Sequence, residues 1–497
     1  MPLPTSPGHA VPLFRLLLGI ADAVALPVYG LALDSRRVQP GDLFLALKGE
    51  QHDGRDYLAA VAQAGACAAV VEAGLSAAQR SAAGQMPIVE VPALDMQTGR
   101  IAARFYGHPS ERLATVGITG TNGKTTTSRV LAQLLRAGFG SCGVIGTLGA
   151  TLGDDTVEAA NTTPDAVSLH SQLADWVADD VAAAVLEVSS HSLVQGRVGG
   201  ITFDTAVFTN LTHDHLDYHG DMDSYAAAKA RLFAVEGLKH AVINGDDDYA
   251  AVMRAAVAPG VEVIEYGIES SSAAVRASDI SYHHGGLEAQ LHTPWGDGLV
   301  HSPMAGDFNL ANLLAAISAA CLNGMGLELA LEVIPELKGV EGRMQYVANE
   351  RDLQLVVDYA HTPDALAQAL RALRAHTEGQ LHCVFGCGGD RDRDKRPVMG
   401  RAADELADRV IVTSDNPRHE PPMAIIDEIL TGISGAHEVE PDRARAIALA
   451  VATAAPGDCI LVAGKGHETY QQVGAERLDF SDVVELRRAL AGDGGAQ

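Results

Sequence analysis

Short apolar runs recur along the chain, each ending in a polar or Gly-rich turn. Seven of them, at 113–120, 182–190, 205–211, 353–360, 382–389, 409–415 and 459–466, are rich in Val, Ile, Leu and Ala. Runs of this length without strict alternation predict strands buried on both faces of a parallel sheet. Ala-rich stretches between them predict covering helices, including one over 57–74. The expected class is therefore α/β. Near the start, 13–24 reads as a first amphipathic helix. Arg15 and Asp22 interrupt it, and it is too short for a membrane span. It also lacks a basic leader and a clear cleavage site, so a cytoplasmic location without membrane insertion is expected.

A chain of 497 residues exceeds one core. Composition breaks near 107–110 and 338–343 divide it into three expected domains, 1–108, 109–339 and 340–497. The formal net charge of −27 argues against nucleic acid as a partner. The six cysteines are scattered, with no disulfide framework. Cys383 and Cys387 flank a strand and a Gly-rich loop, and no second pair follows to complete a metal site.

The strongest chemical signal is at 115–126. An apolar strand meets Gly120-Thr121-Asn122-Gly123-Lys124-Thr125-Thr126, and a helix follows. Glycines let backbone N–H groups turn around phosphate oxygens, and the helix start favours negative charge. Lys124 can reach the terminal phosphates and the Thr125 hydroxyl can bind magnesium. The general phosphate-loop pattern wants its first Gly where Ile118 stands; this chain offers Gly120 instead. A second segment, His213-Asp214-His215-Leu216-Asp217-Tyr218-His219, is rich in metal ligands. It offers a rival reading as a zinc metallohydrolase. A non-catalytic nucleotide-binding module is a third.

These motifs, with others between Asp34 and Glu468, resemble the Mur ligase family, which includes the folylpolyglutamate synthetases. In order they are DSRRVQPGDLF, GTNGKTT, NTTP, EVSSHSL, NLTHDHLDYHG, GDFNLANLLAA, GRMQ, DYAHTPD, GCGGDRDRDKR, DNPR and GKGHE. The resemblance implies an N-terminal UDP-binding domain, a central phosphate-loop-type ATP domain and a C-terminal Rossmann-like domain that binds an amino acid. It implies an ATP- and magnesium-dependent enzyme that acts as a monomer and joins an amino acid to UDP-N-acetylmuramoyl-L-Ala-D-Glu through an acyl phosphate.

Site residues carried by the resemblance fall into four groups. Asn309, Arg343 and Asp358 contact ATP; read singly, they are a helix cap, a surface ion pair and a turn. Glu187, His215 and Lys229 serve magnesium, Lys229 as a carbamate, although a lysine on a helix of good formers ordinarily faces solvent. Leu33, Ser35, Glu50, Gln51 and His52 cradle the uridine nucleotide, and Asn161, Thr162, Thr163, Ser189, Gln195 and Arg197 the muramyl-peptide. Arg391, Asp415, Asn416, Pro417, Arg418, Gly464 and Glu468 form the amino-acid pocket. The residues of DNPR themselves argue for meso-diaminopimelate, because Arg418 offers a planar fork for the carboxylate that lysine lacks. An L-lysine-adding homologue and a folylpolyglutamate synthetase are the alternatives within the family.

Overall fold

The computed structural model describes residues 10–49, 52–153, 155–157, 161–283, 286–304, 306–374 and 376–492. Three sheets organise them. The first is four parallel strands, Gly30–Ala32, Asp42–Ala46, Ala68–Glu72 and Ile88–Val91. The second has eleven strands. Its heart is parallel, in the order Cys142–Gly146, Ala183–Glu187, Ala114–Thr119, Thr205–Phe208, His240–Asn244 and Glu262–Gly267. The hairpin strands Val275–His283, Gly286–Thr293 and Gly296–Ser302 extend one edge. The third has six strands, with Gln354–Asp358, Cys459–Ala463, Leu381–Phe385 and Arg409–Val412 parallel at its centre.

The seven expected strands all form, and burial explains why. Val116, Ile118, Val185 and Val207 face the helices Lys124–Phe139 and Asp307–Leu322. Leu186, Ala206 and Phe208 face the opposite layer with Phe203 and Phe233. A strand covered on both faces has no polar side to alternate with. The paired register sets Glu187 beside Ile118 and Phe208 beside Thr119, so three carboxyl ends open at one level. That edge is where parallel sheets bind ligands.

Two expected helices are corrected. Of 57–74, only Leu58–Gln63 is α-helical; Gly65, at φ 91°, ends it, and Ala68–Glu72 becomes a strand. Ala68 to Val71 are buried, which a solvent-facing helix could not achieve. Of 13–24, only Leu13–Leu16 is helical. Leu13, Leu16 and Leu17 dive into the first domain's core, and Gly19, at φ 68°, turns the chain back. Among the described residues, no helix is long and apolar enough to cross a membrane.

Candidate functional site

The phosphate loop leaves the Ala114–Thr119 strand and enters the helix Lys124–Phe139. Ile118 is a fully buried strand residue, so the turn begins two residues later than in the general pattern. Gly120 is there because nothing larger fits: a Cβ would lie 1.8 Å from Thr209 Oγ1. Gly123, at φ 85°, precedes the helix, and a Cβ there would lie 2.3 Å from Asn312 Oδ1. Thr121 N–H donates to the Asn210 carbonyl (2.8 Å) and Asn122 N–H to Asn210 Oδ1 (2.9 Å), which fixes the loop from the neighbouring strand. The first N–H groups of the helix lack intrahelical partners, as at every helix start, and are left for an anion. Lys124 Nζ donates to the Gly120 and Thr121 carbonyls at 2.9 and 2.8 Å. Desolvation lowers its pKa and the charge of Glu187 opposes that shift.

Glu187 is 1% exposed at the end of its strand. Its Oε2 accepts from Thr125 Oγ1 (2.9 Å) and Thr147 Oγ1 (3.0 Å), and its Oε1 from Thr147 N–H (3.2 Å). Gly146 makes room, since a Cβ would lie 2.0 Å from Glu187 Oε1. Lys229 does not face solvent as its helix setting suggests. It is 1% exposed, its Nζ donates to the Gly120 carbonyl at 2.7 Å, and it stands 4.4 Å from the Tyr225 ring centre. Desolvation, with repulsion from Lys124, holds its pKa well below the lysine range against the pull of Asp214 and Asp247. A helix that packs this face inward buries whatever stands there.

The histidine-rich segment does not close into a cage. His213 Nδ1 lies 3.7 Å from Asp392, His215 Nε2 lies 3.4 Å from Asp214, and His219 Nε2 pairs with Ser190 Oγ at 2.9 Å. Among the described residues, no three His, Cys, Asp or Glu side chains converge as a metal site. Cys383 and Cys387 are buried in the third sheet's core. Desolvation lowers the His215 pKa despite Asp214. Burial would raise that of Asp214, but His215, His361 and Lys395 outweigh it and hold it low.

An open cleft joins the phosphate loop to the third sheet. Asn309, Arg343, Asp358 and His215 all line it, as does Thr162. The Arg343 guanidinium lies 4.3 Å over the Tyr359 ring and donates to Thr125 Oγ1 at 3.4 Å. Asp358 accepts from Met344 N–H (2.7 Å) and Ala360 N–H (2.8 Å); its turn role is real, and burial raises its pKa. Asn122 Nδ2 donates to Asp364 Oδ2 at 3.4 Å across the same seam. The sequence reading missed Thr147, Asn312, Tyr359 and His361, all lining the cleft. Asn312 was findable: it stands three residues after Asn309 on one helix face.

Beside Glu187, Thr163 Oγ1 donates to the Glu187 carbonyl (2.7 Å), and Ser189 N–H donates to Thr163 Oγ1 (3.1 Å). Arg197 Nη1 donates to the Thr163 carbonyl (3.0 Å), and its Nη2 to Gln195 Oε1. Thr162 Oγ1 is 3.2 Å from Thr147 Oγ1, so five of the six expected muramyl-peptide residues form one connected patch; Asn161 is exposed next to it. Leu33, Ser35 and His52 stand apart, off the cleft. Leu33 packs on the first core, Ser35 opens the turn Ser35–Arg37, and the His52 carbonyl accepts from Gly49 N–H. Glu50 and Gln51 lie outside the described residues.

At the carboxyl edge of the third sheet, Asp415, Asn416 and Pro417 are buried. Arg418 takes the left-handed conformation (φ 50°), and its Nη1 donates to the Gly389 carbonyl at 2.7 Å. Desolvation and the nearby charge of Arg391 lower its pKa. Gly464 admits Asp415, whose Oδ2 would lie 2.5 Å from a Cβ there. Glu468 Oε2 accepts from Asn416 Nδ2 at 2.7 Å. Below them Arg443, fully buried, pairs with Asp482 (2.7 Å) and donates to the Ala463 carbonyl, tying the last helix to the pocket floor.

Comparison with known proteins agrees with this layout. Residues 27–106 match the Mur ligase family catalytic domain, 118–320 the Mur ligase middle domain, and 342–466 the Mur ligase glutamate ligase domain. The chain is 47% identical to a UDP-N-acetylmuramoyl-L-alanyl-D-glutamate–2,6-diaminopimelate ligase of Alkalilimnicola ehrlichii, over 96% of this chain and 98% of that one. It is also 47% identical to the protein of that name from Pseudomonas aeruginosa, over 93% and 94%. A solved structure of a ligase of the same name superposes with a TM-score of 0.71 at 37% identity, covering 98% of this chain and all of that one. MurF of Thermotoga maritima in complex with ADP, 20% identical, shares the fold with a TM-score of 0.65, covering 93% and 97%. Three matched domains and near-half identity over almost the whole length establish that this chain belongs to the Mur ligase family.

Proposed function

We propose that this chain is the ATP-dependent ligase that adds meso-diaminopimelate to the D-Glu γ-carboxylate of UDP-N-acetylmuramoyl-L-Ala-D-Glu, a step of peptidoglycan precursor synthesis. The observation that carries it is the continuity of the site. The phosphate loop and Glu187 stand against the patch of Thr162, Thr163, Ser189, Gln195 and Arg197, and the cleft runs on to the third sheet. We assign 1–108 to the uridine nucleotide, 109–339 to ATP and 340–497 to the amino acid. Leu33, Ser35, Glu50, Gln51 and His52 serve the first. One chain supplies every group assigned here, which supports a monomer, and the proposed substrates support a cytoplasmic location.

ATP lies with its phosphates on Gly120 to Thr126 and its adenosine toward Asn309, Arg343 and Asp358. Thr125, Glu187, His215 and Lys229 as its carbamate would hold magnesium, and they fit it. Magnesium prefers one or two carboxylates plus phosphate oxygens over a dense protein cage, and Glu187 already faces Thr125 at 2.9 Å. Bound there, it would neutralise phosphate charge. The carbamate forms when the Lys229 amine attacks carbon dioxide and loses a proton.

The substrate's γ-carboxylate oxygen attacks the γ-phosphorus, and ADP leaves. Lys124 offsets the charge that develops, and positioning does the rest. The amine of the amino acid then attacks the acyl carbon of the acyl phosphate, and phosphate leaves with the original carboxylate oxygen. Closure along the seam that Asn122–Asp364 and Arg343–Thr125 already span would keep water from the acyl phosphate. Labelling the γ-carboxylate with oxygen-18 tests this chemistry. One labelled oxygen should appear in the released phosphate; unlabelled phosphate in a productive reaction would overturn it.

A further inference from the structure

Lys465 stands in the amino-acid pocket but belongs to none of the groups named for it. It is fully buried. Its Nζ donates to Asn416 Oδ1 and to Glu468 Oε2, both at 3.0 Å. It also lies 5.6 Å from the Tyr470 ring centre. Asn416 Oδ1 accepts a second bond, from Gln472 N–H at 2.8 Å. A carbonyl oxygen has two lone pairs, so this one has none left for a ligand. The amide cannot flip either, because its NH₂ would then face an ammonium and a backbone N–H. Its Nδ2 therefore points to Glu468 Oε2. That oxygen is held twice, by Asn416 and by Lys465, while Glu468 Oε1 makes no hydrogen bond to the described residues.

We propose that Lys465 is a positioning and specificity-determining residue of this pocket, fixing Asn416 so that Glu468 Oε1, rather than Asn416, receives the ammonium of the incoming amino acid. The inference rests on the reading of Arg391, Asp415, Asn416, Arg418 and Glu468 as the amino-acid site. Charge gives it a second consequence. Arg391, Arg418 and Lys465 stand against Asp415 and Glu468, three cations against two carboxylates. Diaminopimelate, with two ammonium and two carboxylate groups, is neutral overall, whereas lysine is a cation. Taking the Lys465 charge away makes the pocket more welcoming to lysine relative to diaminopimelate.

The test is steady-state kinetics on the full chain with Lys465→Met, measuring KM separately for ATP, the UDP-muramyl-dipeptide and diaminopimelate. The diaminopimelate KM should rise about tenfold or more, the size expected when a charge-assisted bond is lost. The other two KM values should stay within about twofold, since uniform binding of those substrates is untouched. The ratio of kcat/KM for diaminopimelate over lysine should fall. In a Glu468→Gln background the same change should have little further effect, as for two members of one network. Lys465→Gln, which keeps a donor and drops the charge, carries the test if the methionine variant does not fold. An unchanged diaminopimelate KM, or an equal rise in all three, overturns the proposal. Failure of the underlying reading shows elsewhere, in a wild type that does not use diaminopimelate. Lys465 is then judged on the amino acid that the wild type does ligate.

Discussion

Around the phosphate loop, shape is held by side chains that are missing. Gly120, Gly123 and Gly146 each leave a gap that Thr209, Asn312 or Glu187 fills. Around the amino-acid pocket, shape is held by side chains that are present. Arg443 pairs with Asp482, Lys465 with Glu468, and Asn416 joins the two loops. Backbone groups bind any nucleotide triphosphate alike. A lattice of charges can tell one amino acid from another, because each charge must find its opposite. On the proposed reading, the chemistry sits beside the glycine gaps and the choice of substrate beside the ion pairs.

The largest effect that separates the two regions is expected at Lys124. Lys124→Ala should lower kcat on the order of a thousandfold with every amino acid, because it removes charge where phosphate charge develops. It should still fold, as no apolar core depends on it. A folded variant with near-normal turnover would break the comparison. Lys229→Ala comes next, with an expected loss on the order of a hundredfold. Lys229→Glu should retain more, and acetate should partly rescue the alanine variant. Full activity in Lys229→Ala, with no carbamate detected by carbon-13 NMR of the wild type, would remove Lys229 from the site. Arg418→Ala should lower kcat/KM for diaminopimelate about ten- to a hundredfold, the worth of a charge-assisted hydrogen bond. Lysine use should not fall in parallel. A parallel loss would mean that Arg418 holds the fold of the loop and does not select.

The same contrast explains what could be read in the chain. The phosphate loop is one contiguous segment, so strand, turn and helix announce it together. All seven apolar runs became strands because burial on both faces leaves a local signature. The helix expected over 57–74 failed where Ala, good in a helix, was outweighed by the burial of Val70 and Val71 in a sheet. Lys229 could not be placed from its helix alone, since the face it shares with Tyr225 is fixed by packing. Thr147 escaped because its partner Glu187 lies 40 residues away, and Lys465 because the Asn416 it holds lies 49 residues away. The sequence offers Arg418 as a fork for a carboxylate, but not its left-handed backbone or its bond to Gly389.

The central claim is that a general phosphoryl-transfer site serves a selective amino-acid pocket. A product assay tests it most directly, with ATP, UDP-N-acetylmuramoyl-L-Ala-D-Glu and a panel of amino acids, followed by mass spectrometry. The account predicts an ATP-dependent tripeptide product with meso-diaminopimelate, formed in clear preference to lysine. A wild type that prefers lysine, or that forms no product without a different acceptor, would contradict it.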